Sequence, residues 1–119
     1  MHRTRLALLT MLAAALVVVA SASAATPTLN ATSGPGFSIS MKKGGKKLTS
    51  LKAGKVKIVV KDLSNIHNFH LIGPGLNKKT SVSFSGEKTW TIKLKPGKYT
   101  YQCDVHLAQG MKGTFKVTK

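Results

Sequence analysis

Three kinds of side chain able to hold a soft metal ion gather near the C-terminus. The run Cys103-Asp104-Val105-His106-Leu107-Ala108-Gln109-Gly110-Met111 sets a thiol, an imidazole and a thioether at the spacing C-x2-H-x4-M. Upstream, Ile66-His67-Asn68-Phe69-His70 offers two further imidazoles. One thiolate and two imidazoles in a trigonal plane, with a weak thioether on the axis, make the ligand set of a type 1 blue-copper electron-transfer site. Soft sulfur favours Cu(I), while imidazole serves both oxidation states. A site fixed between the two preferred geometries rearranges little when an electron moves. Taken singly, each residue has an ordinary reading: a buried free thiol, a surface histidine, a packing methionine. A Cys/His2 zinc site is the other metal reading, weakened by the thioether.

The ligands need a rigid frame, and the surrounding sequence reads as short strands. Val56 to Leu63 is a β-branched run, and His67 to Ile72 is a second, stopped by Gly73-Pro74-Gly75. Trp90, Ile92 and Leu94 alternate with polar residues, as do Tyr99, Tyr101 and Cys103, Phe115 and Val117, and Phe37, Ile39 and Met41. Period-two alternation with frequent turn signals predicts an all-β fold, an antiparallel Greek-key β-sandwich of seven or eight strands. On that reading Cys103 shares the inward face of Tyr99 and Tyr101, and His67 that of Phe69 and Leu71. His70 lies three residues on, facing the other way with Asn68 and Ile72. It competes with His67 as a ligand, and the alternation favours His67. His70 then reads as a surface residue or a support for the site.

Residues 1–24 read as a secretory signal peptide: Arg3 and Arg5, an apolar run from Leu6, and Ala22-Ser23-Ala24 as cleavage site. An uncleaved anchor is the alternative. The expected location is exported: periplasmic, cell-envelope or extracellular. Residues 25–36 are rich in Thr, Ser, Pro and Gly and are expected to be a flexible N-terminal segment, with the copper-binding domain at 37–119. Beyond the leader the chain carries lysine but no arginine, against three acids, Asp62, Glu87 and Asp104. So few carboxylates exclude paired-carboxylate catalysis and an oxygen-rich calcium or magnesium site. A single cysteine excludes an internal disulfide. Absent arginine and predicted export argue against nucleic acid. The basic balance points to an acidic redox partner or an anionic cell-envelope surface.

These residues resemble the cupredoxin family, specifically small blue copper proteins of the plastocyanin type. The resemblance rests on His67-Asn68, Pro96-Gly97-Lys98-Tyr99-Thr100-Tyr101-Gln102-Cys103, His106, Met111 and Gly113. It spans Phe37 to Lys119. It implies one copper ion held by His67, Cys103, His106 and Met111, with Asn68 bonding the Cys103–Asp104 loop to the strand that carries His67. It also implies that His106 presents a ring edge to solvent as the electron port, within an apolar patch expected from Leu107, Ala108 and the Gly73–Gly75 turn. The sequence departs from the family in having Val105 where plastocyanins commonly have proline, in the extra His70, and in lacking the acidic patch of plant plastocyanins. The expected function is an exported, monomeric carrier of single electrons, not an enzyme. The alternatives are a copper chaperone or store, and a sandwich module that binds anionic polymer through its lysines.

Overall fold

A computed structural model describes residues 12–19 and 25–119. Most of the predicted leader lies outside the described residues. Residues 12–19 are exposed and form no regular structure, and no helix among the described residues is long and apolar enough to cross a membrane.

The strands follow from alternation. In β5 (Gly54–Asp62), Val56, Ile58, Val60 and Asp62 point inward between exposed or half-buried neighbours. In β9 (Gly97–Gln102) Tyr99 and Tyr101 do so, and in β10 (Lys112–Thr118) Phe115 and Val117. The other strands are β1 (Thr28–Ser33), β2 (Ile39–Lys43), β3 (Lys46–Lys47), β4 (Ser50–Lys52), β6 (His70–Gly73), β7 (Leu76–Lys79) and β8 (Gly86–Leu94). They form two five-stranded sheets, ordered β3-β2-β1-β5-β8 and β4-β10-β9-β6-β7. The connections β3–β4, β4–β5, β5–β6, β7–β8 and β8–β9 pass from one sheet to the other. The core between them holds Leu29, Met41, Ile58, Phe69, Leu71, Tyr99 and Tyr101. Phe69 stacks on Tyr101 and Tyr99 on Phe115, with centroids 5.8 and 5.2 Å apart. Gly113 lies directly across from Tyr101 in the β9–β10 ladder, and a Cβ there would overlap the ring. That glycine is required by packing.

Three expectations need correction. The sheets are mixed: β1 runs parallel to β5, and β4 parallel to β10. There are ten strands because three short edge pieces, β3, β4 and β7, join the longer ones. The segment 25–36 is no loose tail. Its residues 28–33 form β1, seated between β2 and β5 with Leu29, Ala31 and Ser33 fully buried. Small and polar inward residues hide this strand from a reading that looks for large apolar ones.

Candidate metal centre

All strands end at one or the other pole of the sandwich. The segments 34–38, 63–69, 80–85 and 103–111 share one pole. Strand pairing brings Ser33 level with Asp62 in one sheet and His70 level with Gln102 in the other, so His67 and Cys103 emerge side by side from the neighbouring strands β6 and β9 of that second sheet. His67 precedes β6 but keeps its alternation, buried with Phe69 and Leu71. Cys103 follows β9 and continues the inward face of Tyr99 and Tyr101.

The loop after Cys103 closes on itself. The His106 amide donates to the Cys103 carbonyl at 3.3 Å, and a short 3-10 turn over Leu107–Gln109 ends at Gly110, whose φ of 83° suits glycine. The chain then returns: the Met111 amide donates to the His106 carbonyl at 3.3 Å, and the Cys103 amide to the Met111 carbonyl at 3.0 Å. These bonds brace the loop around Val105 without a proline. Met111 is fully buried.

Three donor atoms converge. His67 Nδ1 and His106 Nδ1 are 2.9 Å apart, and Cys103 Sγ lies 3.8 Å from the first and 3.5 Å from the second. A point equidistant from all three lies about 2.0 Å from each, close to metal–imidazole bonds of about 2.0–2.1 Å and a little short of metal–thiolate bonds near 2.3 Å. Two imidazole nitrogens that face each other so closely need a shared proton between them, or a cation that takes both lone pairs. Beside a buried sulfur, the donor set fits a metal ion, and Met111 supplies the thioether from the same loop. The structure brings His67, Cys103 and His106 together and leaves His70 outside the cluster.

Hydrogen bonds fix the ligands from behind. Asn68 Nδ2 donates to Asp104 Oδ2 at 2.9 Å, and the Asp104 amide returns a bond of 2.8 Å to Asn68 Oδ1. Asn68 Nδ2 also reaches the Thr80 carbonyl at 3.3 Å, while Ser33 Oγ donates to the Asn68 carbonyl at 3.1 Å. The residues after the two ligands are thus clamped to each other. Burial pushes the Asp104 pKa up, but bonds from Gln102, His70 and Asn68 and the His70 charge outweigh it and hold Asp104 down to about 2. Asp62 behaves oppositely. Burial raises its pKa, the Ser64 amide and His67 offset this only in part, and its Oδ2 has no hydrogen-bond partner.

His106 is half-buried, and its surroundings are apolar. The Phe37 ring lies 5.0 Å from the His106 ring and 6.3 Å from that of His67. Phe37, Leu63, Ile66, Val105 and Leu107 are each 42–56% exposed. Gly34 lets the 34–38 loop press on the site: a Cβ there would come within 3.3 Å of His67 Cδ2. The expected apolar patch is therefore differently made. The Gly73–Gly75 turn sits at the opposite pole, with Pro74 against Gly97 and Gly75 near Lys95. Alternation puts Phe37 on the face of Ile39 and Met41 and does not show its place in this patch. Phe37 falls before β2, where alternation no longer applies. The flanking Gly-Pro-Gly at 34–36 was the available signal.

A two-sheet sandwich that gathers a buried thiol and two imidazoles at one pole defines a class of small β-proteins built around a metal centre. A family model described as a cupredoxin-like domain matches residues 8–117, and the chain belongs to that family. A search of the curated proteins finds no match. Among solved structures, the chain is similar to reduced auracyanin from the photosynthetic bacterium Roseiflexus castenholzii, with TM-score 0.58 and 22% identity over 81% of this chain and 100% of that one. It is also similar to a methionine-to-glutamine mutant of rusticyanin, with TM-score 0.62 and 24% identity over 81% and 80% of the two chains. For rusticyanin from Thiobacillus ferrooxidans the values are 0.58 and 24%, over 81% and 79%. These likenesses carry the fold. A plastocyanin-type placement within the family rests on the C-x2-H-x4-M spacing alone.

Proposed function

We propose that the protein is an exported type 1 copper protein that carries single electrons. His67, Cys103, His106 and Met111 would hold the ion. When bound, copper would supply a one-electron Cu(II)/Cu(I) couple. The observation that carries this reading is the donor triangle, buried except at His106, whose ring reaches the surface among apolar side chains. Both oxidation states would be held by the same braced loops, which keeps reorganisation small.

Burial of His67, Cys103 and Met111 favours a carrier over a chaperone or store, which needs ligands open to exchange. The apolar rim suits brief docking of a redox partner, since small patches release quickly. The lysines around it would steer a partner with an acidic surface from a distance.

Adding Cu(II) to the mature protein, residues 25–119, tests the reading. The expected result is an intense blue band, bleached by a mild reductant and restored by an oxidant. Cys103→Ser is expected to remove it entirely. A protein that binds no copper, or a Cys103→Ser variant that stays blue, overturns the assignment.

A further inference from the structure

His70 stands outside the donor triangle, yet both its ring nitrogens are engaged. Nδ1 lies 2.8 Å from Asp104 Oδ1, and Nε2 meets the side-chain oxygen of Asn77. The side chain is largely buried, at 13% exposure. Asp104 Oδ1 also accepts from Gln102 Nε2 at 2.9 Å, and Gln102 is the cross-strand partner of His70 in the β6–β9 ladder. The other carboxylate oxygen is held by Asn68. A continuous chain of bonds thus runs inward from edge strand β7, through Asn77, His70 and Asp104, to Asn68. It ends on the two residues that directly follow His67 and Cys103.

We propose that His70 is a positioning residue of the metal centre: it anchors the Asp104 carboxylate, and so the peptide that follows Cys103, to the strand pair β6–β7. The proposal rests on the metal-centre reading only for its second readout. Hydrogen bonds to an ionised carboxylate are about twice as strong as neutral ones, and a part-buried site screens them less. Removing His70 takes a strong donor from Asp104 and leaves Gln102 and Asn68 to hold it. The exposed Lys79 and Lys112 lie across from His70 and Gln102 in the ladders, but neither pairs with the carboxylate. The charge of Asp104, one residue from the thiolate, is then less compensated. Uncompensated negative charge beside a metal favours its more oxidised state.

The first test needs no metal. Hydrogen exchange of the Asp104 amide, whose proton goes to Asn68 Oδ1, is measured in the metal-free protein. His70→Ala is expected to speed it about tenfold, the scale of one lost charged hydrogen bond, and His70→Gln to restore most of the protection. Amides of the β5–β8 ladder should not change. In the copper-loaded protein, His70→Ala should move the Cu(II)/Cu(I) ratio at fixed ambient potential about tenfold toward Cu(II), equivalent to about 59 mV for one electron. A folded His70→Ala protein with unchanged Asp104 exchange and unchanged ratio overturns the proposal. If exchange changes but no copper binds, the positioning role stands and the proposed function fails. Should His70→Ala not fold, Asn77→Ala carries the test: it releases the outer ring nitrogen, and exchange unchanged there overturns the proposal.

Discussion

The two poles of the sandwich obey opposite rules of burial. Every buried polar residue among the described ones, Ser33, Asp62, His67, Asn68 and Thr80, lies at the pole of the metal centre. So does every large apolar residue that the two sheets and their loops leave exposed: Phe37, Leu63, Ile66, Val105 and Leu107. The loops of that pole contain no lysine. At the far pole the turns are bordered by Lys42, Lys43, Lys46, Lys47, Lys52, Lys55, Lys93, Lys95 and Lys98, over a core closed by Leu51, Leu94 and Val117. The ordinary arrangement, apolar inside and charged outside, holds there. Its inversion at the other pole places donors where water is excluded and leaves apolar side chains exposed around them, as the proposed docking of a redox partner requires. Charged groups are costly to desolvate in a contact, so on the proposed function lysines on the walls would steer a partner without standing in its contact.

Paired substitutions break this comparison most sharply. His67→Ala is expected to abolish the blue band while leaving a cooperative thermal transition. Leu94→Ala, in the core of the far pole, should cost about 2–5 kcal/mol of stability and leave the band unchanged. A single mutation that removed both the colour and the fold at either pole would show that the poles are not separable. Phe37→Glu comes next in size. It puts negative charge beside the His106 ring without touching a ligand, so the band should persist while electron exchange with an acidic redox protein slows several-fold through like-charge repulsion, a change in encounter of about 1 kcal/mol. Stopped-flow oxidation, followed at the blue band, measures it. An unchanged rate would move the electron port away from His106.

The frame and the donors were legible because both follow strand alternation. Period two carries Tyr99 and Tyr101 on to Cys103, and Leu71 and Phe69 back to His67, so facing residues could be read through the strand ends. The bond from Asn68 to Asp104, implied by the resemblance, is present. What stayed hidden depends on contacts between distant segments. Nothing local distinguishes Leu29-Asn30-Ala31-Thr32 in a central strand from the same residues in a linker. The parallel pairing of β1 with β5 is decided by how five crossings fold the chain. Which pole a turn occupies is fixed by the same crossings, which is why the Gly73–Gly75 turn, expected beside the site, lies away from it. His70 offered no signal for its partner, since Asp104 is thirty-four residues distant.

Asp62 and Asp104 give the smallest and most discriminating test, because they share the inverted pole and titrate in opposite senses. Asp104 has a folded pKa below its ordinary value of 3.8, so the stability it contributes is present above that value and is lost as pH falls toward about 2. Asp62 has a raised folded pKa, so its contribution is greatest below its ordinary range and is lost as pH rises through the raised value. At neutral pH it is a buried carboxylate with one unpartnered oxygen, which costs stability. Asp62→Asn removes the charge and keeps an acceptor for the Ser64 amide. The metal-free variant is expected to be more stable than the parent at pH 7 by about 1 kcal/mol, with the difference gone near pH 3. Thermal melts at the two pH values measure it. A variant less stable at pH 7 would mean that the ionised carboxylate works for the site, through its attraction to His67, and that even the apparent cost at this pole belongs to the metal centre.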